Sequence, residues 1–201
     1  FGFPLGSKIS ADLVCQGKIS QREGEILAIC FNQLSPVFIS GYLLTNILNM
    51  PQMAVPSYIA LYLPPLCYAR WNLRKLRFPN QKNSASDSVL DFRIIDAGIM
   101  NGFESLTKLG GYIVLFSIFA ALLKTYNTGY PLANTICTGL VEVTTGISCL
   151  KDSGLPLQFI YPLAIFFTSF GGFCGFAQTF SMTKECSFSK MRYLTCRFCF
   201  A

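Results

Sequence analysis

The chain contains two long stretches without a single charged residue. The first covers residues 26–69 and is 44 residues long, and the second covers residues 153–183 and is 31 residues long. About 20 apolar residues suffice for a helix to cross a hydrocarbon core about 30 Å thick. The first stretch is therefore long enough for two crossings, and the second for one crossing or a re-entrant hairpin. This pattern predicts an all-α, multi-pass integral membrane protein with the lipid bilayer as its main partner.

The first charge-free stretch begins as a capped helix and is then broken. Ser20 and Glu23 have the spacing of a capping box, which predicts a helix start just before the apolar run at Ile26. Residues 32–36, with Asn32, Ser35 and Pro36, interrupt that run. Polar groups at membrane depth are tolerated only against protein or a water-filled cavity, so we expect this break to face the interior.

The remainder of this stretch predicts a helical hairpin that leads into a basic loop. The run turns at Pro51-Gln52 and returns over 54–69, where three prolines are expected to interrupt it: Pro56, Pro64 and Pro65. Residues 70–93 contain six Lys and Arg side chains opposed by two Asp. Between membrane segments such a bias is typical of a cytoplasmic loop. Nucleic-acid binding explains the cluster less well, and no nucleic-acid partner is expected.

The second half of the chain predicts further interrupted helices. Residues 94–108 are amphipathic at helical spacing, with Asn101, Glu104 and Lys108 on the polar side. Residues 109–123 are free of charge but too short to span alone, so Gly110-Gly111 predicts a bend between two half-helices.

Two more breaks are expected nearer the carboxyl end. Residues 132–150 are apolar but interrupted by Gly139 and Gly146, and they carry the isolated carboxylate Glu142. The last hydrophobic stretch, 155–182, is expected to break at Gly171-Gly172 before a basic tail. Interrupted helices of this kind are typical of transporter folds, where the breaks form the binding site.

A weak internal repeat appears when the N-terminal residues are shifted by 169 positions. Five of thirty aligned residues are then identical: Gly2, Gly6, Ser20, Cys30 and Phe31. The same features follow one another in both segments: a break at small residues, a polar helix, a serine at a helix start and an apolar run. Either this reflects chance among abundant Phe and Gly, or residues 1–31 end a first copy whose beginning, about a hundred residues, lies upstream.

Glu142 is the strongest single candidate for function, because an unpaired carboxylate at membrane depth is costly. It either faces a polar cavity with Thr144 and Thr145, or it pairs with Lys108 or Lys8 or lies near the interface. The predicted solute-binding set is Glu142, Thr144, Thr145, Asn101, Glu104, Lys108, Asn32, Ser35, Ser169 and Gln178. The predicted helix-break set is Gly2, Pro4, Gly6, Pro36, Gly171 and Gly172, whose alternative role is close helix packing at G-x-x-x-G spacing.

Composition limits the alternatives. Only 13% of the residues are charged, against about 25% in ordinary globular chains. Nine cysteines make an odd number, so a complete disulfide framework is excluded, and the C-x-x-C pair at 196 and 199 lacks further ligands for a metal. The chain has no histidine and no nucleophile or phosphate-loop motif. We therefore expect no enzyme, no cofactor and no metal.

Several motifs together resemble one known family. They are GFPLGSK (2–8), GKIS (17–20), DAGIMNGFESLTKLGGYIVLFS (96–117), LVEVTTGI (140–147) and SFGGFCGFAQT (169–179). In these the chain resembles the sporulation integral membrane protein YlbJ family, which carries the nucleoside-recognition Gate domain. Gln33-Leu34-Ser35 before Pro36 departs from the smaller residues expected there. The resemblance implies a fold related to concentrative nucleoside transporters and to the Gate segments of the ferrous-iron transporter.

The resemblance gives the predicted organisation and two alternative functions. Residues 1–69 would end a first Gate-type repeat and add a hairpin, 70–93 would form the basic loop, and 94–201 would be the second repeat. The chain would then be half of an internally duplicated, transporter-like fold in a bacterial cell, forespore or mother-cell membrane. It would act either as a permease for a small polar solute, nucleoside-like or ionic, or as a non-transporting scaffold for spore cortex or coat assembly. Other sporulation membrane proteins or further copies of the chain are the expected protein partners.

Overall fold

The computed structural model describes residues 2–76, 92–125 and 131–201. All regular structure in these ranges is helical, which agrees with the predicted fold class. The α-helices are α1 (Leu5–Cys15), α2 (Gln21–Phe31), α3 (Ala54–Arg74), α4 (Phe92–Thr125), α5 (Pro131–Val141), α6 (Val143–Lys151), α7 (Leu157–Phe170), α8 (Gly172–Met182) and α9 (Lys190–Phe200). A π-helix (Phe38–Ile47) and a 3₁₀ turn (Pro51–Met53) connect α2 to α3. Most of the predicted basic loop lies outside the described residues.

Two breaks fall where the sequence predicted them. Helix α2 starts at a complete Ser20–Glu23 capping box and ends before Asn32, and the π-helix begins only after Pro36. Helices α7 and α8 meet at Gly171, whose φ of 86° lies in the left-handed region that glycine adopts at little cost. Both interruptions therefore follow from local backbone chemistry that can be read from the sequence.

The predicted breaks at Gly139 and Gly146 are wrong. Helix α5 continues through Gly139, and the interruption lies at Glu142, which caps α6 in an extended conformation. The two glycines are packing sites instead. A Cβ on Gly146 would overlap the backbone of Gly139, and one on Gly139 would overlap the Phe167 ring. Their lack of side chains lets α5, α6 and α7 pack closely.

The predicted bend at Gly110-Gly111 and the proline interruptions of the return run are also wrong. Helix α4 runs without a break for 34 residues, since a glycine costs a helix only about 1 kcal/mol relative to alanine. Helix α3 runs for 21 residues with Pro64 and Pro65 inside it. Pro56 lies in its first turn, where the missing N–H has no helical partner to lose.

Three apolar clusters lie among the described helices, and the smallest, with Ile26, Cys30 and Ala69, joins α2 to α3. The largest joins the π-helix, α3, α6 and α7 and has Leu43, Leu44, Ile147 and Leu150 completely buried. The second is mainly aromatic and joins α2, α7, α8 and α9. Its buried members are Ile29, Phe170, Phe176 and Tyr193. Because α7 contributes to these two larger clusters, it anchors the break at Gly171 from two sides.

Helix α4 has the most exposed apolar surface. Only Ser105 and Ala120 are buried along its length, while large residues such as Phe103, Leu106 and Ile118 are exposed. Among the described helices, α4 and the α7–α8 segment Leu157–Met182 are long and apolar enough to cross a membrane. Apolar surface of this extent is stable only against lipid or protein, which supports the prediction of a membrane protein.

Candidate functional site

Three helix breaks, of which those at Asn32–Pro36 and Gly171 were predicted and the one at Glu142 was not, lie around a cavity of about 190 Å³ together with the start of α1. Phe3 precedes α1, Leu34 lies between α2 and the π-helix, Glu142 separates α5 from α6, and Gly171 separates α7 from α8. The complete lining is Phe3, Leu34, Phe38, Leu109, Ile113, Glu142, Val143, Thr144, Gly171, Cys174, Gly175 and Gln178. Aromatic and aliphatic walls thus enclose a few polar groups, as in typical small-molecule sites.

Glu142 supplies the only ionisable carboxylate of this lining. Its side chain is 6% exposed and caps the N-terminus of α6. Oε2 accepts hydrogen bonds from Thr144 Oγ1 (2.7 Å), the Thr145 amide (2.7 Å) and Thr145 Oγ1 (2.6 Å), whereas Oε1 accepts one from the Thr144 amide (3.0 Å). A helix N-terminus favours a negative charge, so the carboxylate is stable here without a cation. Oε1 retains capacity for a further donor from the cavity.

The two lysines considered as partners of Glu142 are engaged elsewhere. Lys8 donates to Asn101 Oδ1 and to Ser105 Oγ on α4. Lys108 pairs with Glu104 one helical turn away. Neither lysine neutralises Glu142, so the ion-pair alternative is not the observed arrangement.

Asn101, Glu104 and Lys108 do not line the cavity around Glu142. All three are exposed on α4, and that helix contributes the apolar side chains Leu109 and Ile113 to the lining instead. The amphipathic pattern predicted the polar side of α4 correctly, but it carried no information on how the helix is rotated relative to its neighbours. Their role in binding stays a prediction.

The remaining predicted polar residues stabilise the breaks. Asn32 is buried and donates to Thr179 Oγ1 (2.8 Å) and to the Tyr193 hydroxyl (2.6 Å). Ser35 Oγ accepts from the Phe38 amide (3.2 Å), and Ser169 donates to the Phe200 carbonyl (3.0 Å). These bonds satisfy polar groups that the interrupted helices expose.

Gln178 is a further predicted residue that lines the cavity, and it contributes a side-chain amide. It is buried on α8 and its Nε2 donates to Cys174 Sγ at 3.0 Å, one turn earlier on the same helix. Both Gln178 and Cys174 line the cavity together with Glu142. With Thr144, these groups provide donors and acceptors for a polar ligand.

The small residues at the breaks allow close contact between them. A Cβ on Gly6 would overlap the Phe31 carbonyl at the end of α2, and one on Gly175 would lie 3.0 Å from the Phe3 ring. A Cβ on Gly2 would lie 3.3 Å from Ser35. The packing role considered for the G-x-x-x-G pairs 2/6 and 171/175 therefore applies, whereas Gly98 and Gly102 face open space.

Arg197 is a residue that the sequence did not single out. Its guanidinium is 1% exposed, donates to Gln33 Oε1, and lies 3.1 Å from the position that a Cβ on Gly171 would occupy. Nε and Nη2 have no hydrogen-bond partner within the described residues. The cation thus lies beside Gln33, which follows α2, and beside Gly171, where α7 ends and α8 begins. Its position in a basic tail gave no signal of burial.

These features define a class of protein: a helical membrane protein with interrupted helices around a small, mainly apolar cavity that holds a few polar groups. The chain is 24% identical over 223 aligned residues to the sporulation integral membrane protein YlbJ of Bacillus subtilis (strain 168). The alignment covers 92% of this chain and 54% of that protein, so the chain spans about half the length of the curated relative it matches. No protein-family model matches the chain, and no solved structure matches it. The similarity is distant, and it supports the family resemblance and an integral membrane protein.

Proposed function

We propose that the chain forms part of a permease for a small polar solute and that the cavity at the helix breaks is its solute site. The observation that carries this proposal is the convergence of three helix breaks and the start of α1 on a cavity that holds a buried carboxylate. Helix breaks and ionisable groups at membrane depth are expensive and are retained chiefly where a solute or ion passes. A purely structural role would not require the breaks to enclose space.

The dimensions of the cavity favour a small ligand. Its volume of about 190 Å³ is below the range of about 300–1,000 Å³ of typical ligand clefts. A hydrated cation or a small neutral solute with hydrogen-bond donors suits the free capacity of Glu142 Oε1. A nucleoside, which the Gate-type resemblance suggests, requires the helices on either side of the cavity to separate.

The internal repeat gains support as a Gate-type duplication. Shifted by 169 residues, α2 falls on α9, and both helices are 11 residues long. Ser20 and Ser189 cap these helices with their side chains at equivalent positions. Helices α1 and α8, which precede them, are also 11 residues long. Two hairpins of matched length are what a duplicated transporter-like fold would contain.

The place of action we propose is a sporulation membrane. This follows from the name of the Bacillus subtilis relative, which is a sporulation integral membrane protein. Because the chain spans about half of that relative, the complete solute pathway includes residues outside this chain. A permease that moves a solute during spore formation would account both for the cavity and for the similarity to this sporulation protein.

Uptake by sealed lipid vesicles tests the permease. Vesicles containing the purified protein are assayed with labelled uridine and with labelled sodium, and Glu142→Gln is compared with the wild type. We expect uptake of one probe above that of empty vesicles, with a loss of tenfold or so in the variant because its charge is removed. Gln keeps one of the two acceptors that cap α6, so expression and unfolding in detergent are compared with the wild type alongside uptake.

A matched control separates transport from folding. Thr195→Val removes an exposed hydroxyl that donates to the Met191 carbonyl on α9 and does not line the cavity, so uptake should stay within about twofold of the wild type. Wild-type vesicles no better than empty ones for either probe would contradict the permease. If cells carrying Glu142→Gln then sporulated normally, the scaffold role would take its place.

A further inference from the structure

The connection between α1 and α2 and the connection between α8 and α9 meet outside the cavity lining. The turn after α1 and the segment after α8 lie side by side. Gln21 Nε2 donates to the Ser187 carbonyl at 2.6 Å, and the Ser189 amide donates to the Glu25 carboxylate at 2.8 Å. These bonds fix the first turns of α2 against the α8–α9 connection, across more than 160 residues of chain.

Two thiols face each other within this junction. Cys15 is the last residue of α1 and Cys186 follows α8, and their Sγ atoms are 3.2 Å apart. Cys186 also donates to the Ala11 carbonyl at 3.3 Å, which directs its sulfur towards α1. A disulfide needs an S–S distance of about 2.05 Å, so the sulfurs have to approach by only about 1 Å.

We propose that Cys15 and Cys186 form a reversible intramolecular disulfide that joins α1 to the α8–α9 connection. The oxidant is a low-molecular-weight or protein disulfide. The Cys15 thiolate attacks one sulfur of that disulfide, which forms a mixed disulfide and releases one thiolate. The Cys186 thiolate then attacks the Cys15 sulfur, which closes the internal bond and releases the second thiolate. Two protein thiols are oxidised, two protons are lost, and the oxidant is reduced to two thiols.

Exposure assigns the order of the two attacks. Cys15 is exposed, whereas Cys186 is partly buried. Burial, followed by the neighbouring Cys15 and the carboxylates of Glu185 and Asp12, raises the pKa of the Cys186 thiol to about 11. Cys186 is thus a poor first nucleophile but lies in place to resolve a mixed disulfide on Cys15.

The bond would couple the redox state to the two hairpins that reach the cavity. Phe3 lies two residues before α1 and Gln178 lies on α8, and both line the cavity. A covalent link between the far ends of these helices limits their separation. Oxidation would therefore hold the α1 and α8 sides together without touching the cavity itself.

Peptide mapping of the purified full chain in detergent tests the proposal. The protein is incubated with oxidised glutathione, alkylated and digested with trypsin without reduction. Cleavage at lysines places Cys15 in peptide 9–18 and Cys186 in peptide 185–190, each with one cysteine. We expect these two peptides to be joined in about tenfold excess over any other cysteine pair, because their thiols are already placed together.

Two variants control the assignment. Cys15→Ser should abolish the joined peptide and leave Cys186 free, whereas Cys67→Ser, at another exposed cysteine, should leave its yield unchanged. Reduction with dithiothreitol should separate the peptides again. The proposal is overturned if 9–18 and 185–190 carry separate glutathione adducts, or if they are joined to other cysteine peptides as often as to each other.

Discussion

Glu142 caps helix α6 and also presents a hydrogen-bond acceptor to the cavity. Four hydrogen bonds from Thr144 and Thr145 fix its carboxylate at the start of α6. One oxygen nevertheless keeps room for a donor in the cavity. The sequence identified this residue and both threonines through the cost of an isolated carboxylate, but the hydroxyl bonds could be known only once the chain turned at that residue.

Removing the cap at Glu142 should weaken the fold by a modest amount. Glu142→Ala loses the acceptor for the first amides of α6, so we expect a destabilisation of about 1 kcal/mol, measured by unfolding in detergent. Ser189→Ala removes the cap of α9 and should cost a similar amount. Only Glu142→Ala should also lower uptake. Equal effects of both variants on uptake would show that cavity chemistry plays no part.

The buried cation at Arg197 should matter more for stability than an exposed one on the same helix. Arg197→Met leaves Gln33 Oε1 without its donor and the ends of α2 and α7 without a positive charge. We expect a loss of about 1–3 kcal/mol. Arg192→Met breaks the ion pair with Glu25, in which the arginine side chain is exposed to solvent. The loss of unfolding free energy should therefore stay below about 1 kcal/mol. A smaller loss for Arg197 than for Arg192 in denaturant titrations would contradict this assignment.

Along the helices, the sequence predicted breaks well where the backbone chemistry is local. Pro36 with its polar neighbours and the left-handed Gly171 both interrupt helices as expected. The prediction of helix breaks was wrong at Gly139 and Gly110. A glycine inside a helix is tolerated at small cost, and its role depends on what packs against it. That information lies in the neighbouring helix, which the local sequence does not contain.

Two glycine substitutions should therefore have opposite effects. Gly146→Ala places a methyl group into the backbone of Gly139, so α5 and α6 must separate, and we expect a loss of at least about 1–3 kcal/mol. Gly110→Ala meets open space in the middle of α4 and should raise stability by up to about 1 kcal/mol. Thermal unfolding in one detergent compares them directly. A stabilising Gly146→Ala would show that α5 and α6 do not pack as described.

At the scale of the molecule, the charge-free stretches and the exposed α4 give one consistent picture. Apolar helices face outwards, and polar groups such as Glu142 and Gln178 face a shared interior. The sequence predicted this division and the all-helical class. It could not predict that Arg197 is buried or that Asn101 lies outside the cavity. Both depend on how distant helices are rotated against each other, which no local pattern encodes.

Water access to the cavity tests this picture most directly, and two native cysteines provide a matched pair. Cys174 lines the cavity and is 5% exposed, whereas Cys30 is 4% exposed in the helix core away from it. Two variants that each keep one of these cysteines, with the other eight replaced by serine, are treated in vesicles with a small charged thiol reagent. A cavity that opens to water predicts modification of Cys174 about tenfold faster than that of Cys30, because the reagent requires an aqueous path. Equal rates at the two cysteines would contradict a solute cavity at the helix breaks.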